Sequence, residues 1–132
     1  MGTVKYLLDT HTFLWAAQGN LKLSEKAKKV LSNKTAQKFV SAVSAYEIMY
    51  KHKLGKLPEY EYIAENYFDI LCDFKATELP INMKHAHFAG KFEWTHRDPF
   101  DRLLAAQAAT DKMTLITNDP AFQNLSWLTI LW

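Results

Sequence analysis

The feature that most constrains this chain is a short apolar run that stops at an acid. Val4 to Leu8 (Val-Lys-Tyr-Leu-Leu) is followed at once by Asp9, and it reads as a buried strand. The pattern recurs. Lys38 to Val43 reads as a strand that runs into Ser44-Ala-Tyr-Glu47, and Met113 to Thr117 reads as one that runs into Asn118-Asp119-Pro120. Thr77 to Leu79 and Trp127 to Trp132 complete the expected strands. Between them lie helical stretches. Thr10 to Ala17 ends near Gly19-Asn20. Ser24 to Leu31 has a serine cap. Ser44-x-x-Glu47 has the pattern of a capping box, opening a helix that runs to about Lys53 and stops at Gly55. Glu59 to Leu71 follows Pro58, and Asn82 to Phe92 carries His85 and His87. Asp98 as cap and Pro99 at the first helical position open a helix that continues through Leu103 to Ala109.

Strands alternating with helical crossovers predict an α/β fold with a central, mostly parallel five-stranded sheet covered on both faces. No linker, repeat or low-complexity tract divides the sequence, so residues 1–132 are expected to form a single domain. Hydrophobic residues at 48% and aromatic residues at 14% exclude disorder. No run approaches the roughly 18–20 apolar residues of a membrane helix. The apolar run at 4–8 is too short for a signal-peptide core. One cysteine, Cys72, excludes a disulfide framework and a cysteine-based zinc site. These observations predict a soluble cytoplasmic protein with no membrane partner.

In parallel α/β sheets, ligands bind outside the carboxyl ends of the strands. Acids cluster at that edge of this sequence. Asp9 follows the first strand, Glu47 lies in the first turn after the second, and Asp119 follows the fourth by two residues. Asp101 joins them if its helix starts at the same edge. Like charges so close would raise each other's pKa values, and a hard divalent cation such as Mg²⁺ or Mn²⁺ resolves the repulsion. An acidic cluster without a dedicated histidine base suits phosphodiester cleavage, in which the ion activates water and stabilises the in-line transition state. Each acid also has a plain structural reading. Glu47 completes a capping box, Asp98 caps a helix, Asp101 favours a helix dipole, and Asp119 belongs to a turn. Asp9, abutting an apolar strand, is the hardest of them to read as a solvated charge.

Four segments, in order and spacing, resemble a known family. They are Leu7-Leu8-Asp9-Thr10-His11, Ser41-Ala42-Val43-Ser44-Ala45-Tyr46-Glu47, His96 to Ala108 (His-Arg-Asp-Pro-Phe-Asp-Arg-Leu-Leu-Ala-Ala-Gln-Ala), and Leu115-Ile116-Thr117-Asn118-Asp119. The chain resembles a PIN domain, specifically a VapC-like toxin ribonuclease of a type II toxin–antitoxin system. The resemblance implies an α/β/α sandwich and four metal-binding, catalytic acids: Asp9, Glu47, Asp101 and Asp119. It implies Mg²⁺ or Mn²⁺ as cofactor, RNA as substrate, a homodimer, and a cognate antitoxin protein that blocks the site. Thr10 and Thr117 resemble polar neighbours that position water or a ligand, and Ser44 and Asp98 are placed as further supporting polar groups. Two other readings stand beside a toxin: a catalytically idle PIN-fold module that binds RNA or protein, and a PIN nuclease of RNA or DNA processing without an antitoxin.

Sixteen Lys and Arg against fourteen Asp and Glu give a net charge of +2. If four acids serve one metal site, ten remain against sixteen bases, and the surround is basic enough to attract a phosphate backbone. His96, Arg97, Lys51 and Lys53 are the candidate RNA contacts; a solvated helix face is the plain alternative for the lysines. His85 and His87 are expected at the surface or in dimer packing rather than as ligands, being two residues apart on a helix. Tyr46, Tyr50, Trp15 and Trp94 are core residues by default and base-stacking or antitoxin-groove residues in the alternative.

Overall fold

The computed structural model describes residues 3–132. Five strands are joined by helices: β1 (Lys5–Leu8), α1 (Thr10–Gln18), α2 (Glu25–Ser32), β2 (Gln37–Ser41), α3 (Ala42–Lys53), α4 (Glu61–Glu65), α5 (Tyr67–Asp73), β3 (Thr77–Leu79), α6 (Met83–Lys91), α7 (Pro99–Thr110), β4 (Thr114–Ile116) and β5 (Ile130–Leu131). The sheet order is β3-β2-β1-β4-β5, and every pairing is parallel. The expected α/β architecture is present.

β1 lies at the centre, paired with β2 on one side and β4 on the other. Successive side chains of a strand point to opposite faces, and both faces here are covered. Leu7, in register with Leu115, packs in a core with Val43, Leu104, Ala108 and Phe122. Leu8, in register with Ile116 and Val40, packs in the opposite core with Phe13, Leu14, Ile48 and Tyr67. Burial on both sides explains why these strands read as continuous apolar runs.

Three elements differ from expectation. β2 ends at Ser41, and it is Ser41, not Ser44, that caps α3, its side chain accepting from Val43 N. The expected capping box is absent: Ser44 lies inside the helix, fully buried. The expected helix from Glu59 to Leu71 is broken into a 3-10 turn (Pro58–Tyr60), α4 and α5, with Asn66 out of helical geometry at the break (φ −120°, ψ 31°). The last strand is confined to Ile130–Leu131. Gly55 does end α3 as expected, at φ 72° and with its N–H donating to His52 O. Among the described residues, no helix is long and apolar enough to cross a membrane.

Candidate functional site

At the carboxyl edge of the central strands the chain opens into a cleft of about 300 Å³. Asp9, Thr10, Glu47, Asp101 and Asp119 line it, together with His11, Trp15, Asn118 and Pro120. All four acids expected from the sequence therefore face one space, and each arrives on a different element.

Asp9 leaves β1 and caps α1, its Oδ1 accepting from Thr12 N at 2.7 Å. Its Oδ2 accepts from the Thr117 hydroxyl, at the end of β4. Asp9 is only 7% exposed. Burial raises its pKa above the ordinary carboxylate value, against the lowering effect of the Thr117 and Thr12 contacts. Glu47 sits in the second turn of α3 rather than the first, because the helix starts at Ala42. Its Oε1 accepts from Thr10 Oγ1 at 2.7 Å, and Thr10 also meets Ser44 Oγ at 3.0 Å. Its Oε2 pairs with Lys51 one turn along the helix. Lys51, expected at the RNA-facing surface, is thereby committed to Glu47.

Asp98 caps α7 as expected, accepting from Phe100 N at 2.9 Å and Asp101 N at 3.3 Å. That leaves the Asp101 side chain free of the cap. Its Oδ2 lies 2.6 Å from Nε2 of His96. Asp101 is pushed up to about 6, by burial first and then by the charges of Asp98 and Asp119, while His96 pulls it down. Asp119 starts a 3-10 turn at Pro120, accepting from Ala121 N at 3.0 Å, and its own N–H donates to Thr117 Oγ1 at 3.1 Å. Thr117 thus ties Asp9 and Asp119 together.

The acids are spaced less tightly than a shared chelate. Among the described residues, the one group of three metal-ligating side chains with atoms within 4.8 Å of one another is His96, Asp98 and Asp101. Asp9, Glu47 and Asp119 are each held by hydrogen bonds of their own: Asp9 by Thr12 and Thr117, Glu47 by Thr10, and Asp119 by Ala121. His96, expected beside the acidic edge as a candidate RNA contact, is found on Asp101. Arg97 and Lys53 are exposed. His85 is not at the surface: it is 1% exposed, reciprocally caps α6 with Asn82, and meets Asp111 at 3.1 Å. Spacing along one helix does not reveal a contact to the turn after α7. His11 and Trp15, one turn apart on α1, also line the cleft with their rings 5.8 Å apart; of the two, His11 falls in the first of the four segments that carry the family resemblance.

A family model of the PIN domain matches residues 6–128. No curated protein matches the chain. Solved structures share the fold across almost the whole length. The DNA-bound VapBC of Salmonella typhimurium aligns with TM-score 0.70 at 18% identity, covering 98% of each chain. A toxin–antitoxin complex from Klebsiella pneumoniae gives 0.67 at 18% identity over 97% of each. FitAcB from Neisseria gonorrhoeae gives 0.66 at 19% identity over 96% of each.

Proposed function

The chain belongs to the PIN domain family, and from that footing we propose that it is a metal-dependent endoribonuclease, the toxin of a toxin–antitoxin pair. One observation carries the reading: Asp9, Glu47, Asp101 and Asp119 line a single cleft, each brought by a different element. Asp9 and Asp101 are both held above the ordinary carboxylate range, chiefly by burial. Such a group of acids is incomplete without positive charge. An all-oxygen donor set suits Mg²⁺ or Mn²⁺, and a spacing wider than direct joint chelation suits an ion that keeps several of its waters. When bound, the ion lowers the pKa of a water and offsets charge on the scissile phosphate.

The chain's own residues supply the rest. Thr12 N–H and the Thr117 hydroxyl fix both oxygens of Asp9. Thr10 orients Glu47, and Lys51 balances its charge. His96 orients Asp101, and Ala121 N–H orients Asp119. Arg97 and Lys53, both exposed, are the cations this reading assigns to the phosphate backbone. A cognate antitoxin and a homodimer complete the proposal. It is supported by structural neighbours that are themselves toxin–antitoxin complexes.

The test is cleavage of labelled RNA by the purified chain. Cutting is expected with Mn²⁺ or Mg²⁺, none with EDTA, and none from a folded Asp9→Asn variant. Full activity in that variant, or in EDTA, overturns the assignment. An inactive wild-type chain favours the idle binding module.

A further inference from the structure

We propose that Lys22, held over the ring of Trp15 on the α1 wall of the cleft, binds a phosphate of the strand on which the four acids act. The proposal rests on the ribonuclease reading and deepens it by giving that strand a path over α1.

Trp15 lines the cleft from the second turn of α1. Its ring is held edge-on by His11 at 5.8 Å and by Trp132 at 5.9 Å. Lys22 lies beyond the end of α1, and the chain folds back to bring it to that ring. Gly19, at φ 67°, ends the helix in the left-handed conformation that favours glycine, and the Asn20 N–H returns to Trp15 O at 2.9 Å. The Asn20 side chain then accepts from Lys22 N at 2.9 Å, closing a tight turn. The Lys22 ammonium ends 5.4 Å from the centre of the Trp15 ring, drawn by the negative face of the indole.

The charge of Lys22 is unspent. It is exposed and has no ion-pair partner among the described residues. Lys51 also reaches the lining of the cleft, but it is paired with Glu47. Lys28 is paired with Glu25, and the buried Lys38 donates to the carbonyls of Leu31 and Asn33. A free lysine loses many rotamers when a ligand fixes it; the indole holds Lys22 beforehand, so less ordering is left to the binding step. An ammonium is a compact point charge suited to an anionic oxygen. Four acids repel a polyanion, and a phosphodiester strand that approaches them needs cations at the rim. Lys22 supplies one on α1, a single ring away from the acids.

The experiment reads binding of an end-labelled oligoribonucleotide of about ten nucleotides by fluorescence anisotropy, in EDTA, between about 50 and 200 mM salt. Lys22→Ala is expected to weaken binding roughly five- to tenfold at the lower salt. It is also expected to make log affinity against log salt shallower by about 0.7, the share of one phosphate contact on a single strand. Lys22→Arg keeps a cation over the ring and is expected to restore both. Lys34→Ala removes the same charge from an exposed position before β2, at the opposite edge of the sheet, and is expected to keep the wild-type slope. Lys22 is exposed, so its variants are expected to melt as wild type. An unchanged slope in Lys22→Ala overturns the site. An equal loss in Lys34→Ala, which would reduce the effect to net charge, overturns it too, as does a wild-type chain that binds no RNA. A chain that binds in this way but does not cut when Mn²⁺ is supplied overturns the ribonuclease reading and leaves the phosphate site standing.

Discussion

Nε2 of His96 lies 2.6 Å from Oδ2 of Asp101, so the acid in the first turn of α7 is held by an imidazole from the loop before it. The two side chains are partly shielded, 33% and 18% exposed. Together with the Lys51–Glu47 pair, this contact sets a positive or proton-bearing group against two of the four acids of the cleft. Any cation entering the site competes with both, and the consequences are measurable.

Divalent-ion affinity depends on deprotonation of Asp101, which is pushed up to about 6. Mn²⁺ binding by isothermal titration is expected to be level above about pH 7 and to fall up to tenfold per unit below about pH 6. His96→Ala removes a contact that lowers Asp101, so the inflection moves to higher pH. A profile level down to pH 5 contradicts both expectations.

Without metal, the same carboxyl shapes stability. Its folded pKa exceeds the unfolded value of 3.8, so the native state binds more protons between about pH 4 and 6. Stability therefore falls as pH rises through that window, on the order of 2 kcal/mol, and levels off above it. Asp9, also raised, acts in the same direction. Urea midpoints measured across the window should slope less in Asp101→Asn than in wild type.

Metal loading reverses the sign. At about a hundred times its Kd, Mn²⁺ stabilises a binding-competent fold by about 2.7 kcal/mol, a rise of several degrees in Tm. The rise is expected in wild type and lost in Asp9→Asn. Calorimetry with and without EDTA checks it.

Ser41, not Ser44, caps α3. Ser41→Ala should cost about 1–2 kcal/mol through the lost bond to Val43 N. Ser44→Ala should cost less than Ser41→Ala, since Thr10 keeps Glu47 as partner. Chemical denaturation ranks the two, and the opposite order would return the cap to Ser44.

Leu115 is fully buried between Leu7 and Ile130 in the sheet. Leu115→Ala should cost about 2–5 kcal/mol as a cavity. A loss below 1 kcal/mol in denaturant unfolding would contradict a tightly packed core at that point.

The central strand and three of the four acids were legible because an apolar run ends close to where its strand does; Asp101 instead opens a helix. Burial on both faces leaves continuous Leu, Ile and Val, and the edge of the sheet is where an acid follows. What stayed hidden was pairing across elements. Lys51 reads as a surface base until the helical turn brings it to Glu47. His96 reads as a loop residue until the turn of Asp98-Pro99 aims Asp101 back at it. Ser44 fits a capping box by spacing, yet β2 hands over to the helix at Ser41, and no local pattern separates two serines three residues apart. His85 likewise depends on Asp111, on a segment 26 positions away.

The bond from Thr117 to Asp9 spans 108 positions of the chain. Parallel pairing makes the strand-to-strand contacts of β1 long-range ones, and such topologies order late and slowly. Translation at about 5–20 residues per second separates the synthesis of Asp9 from that of Thr117 by several seconds. During that interval the acid has neither its hydroxyl partner nor its neighbour Asp119. Any activity of this cleft consequently begins only after the β4 segment has been made.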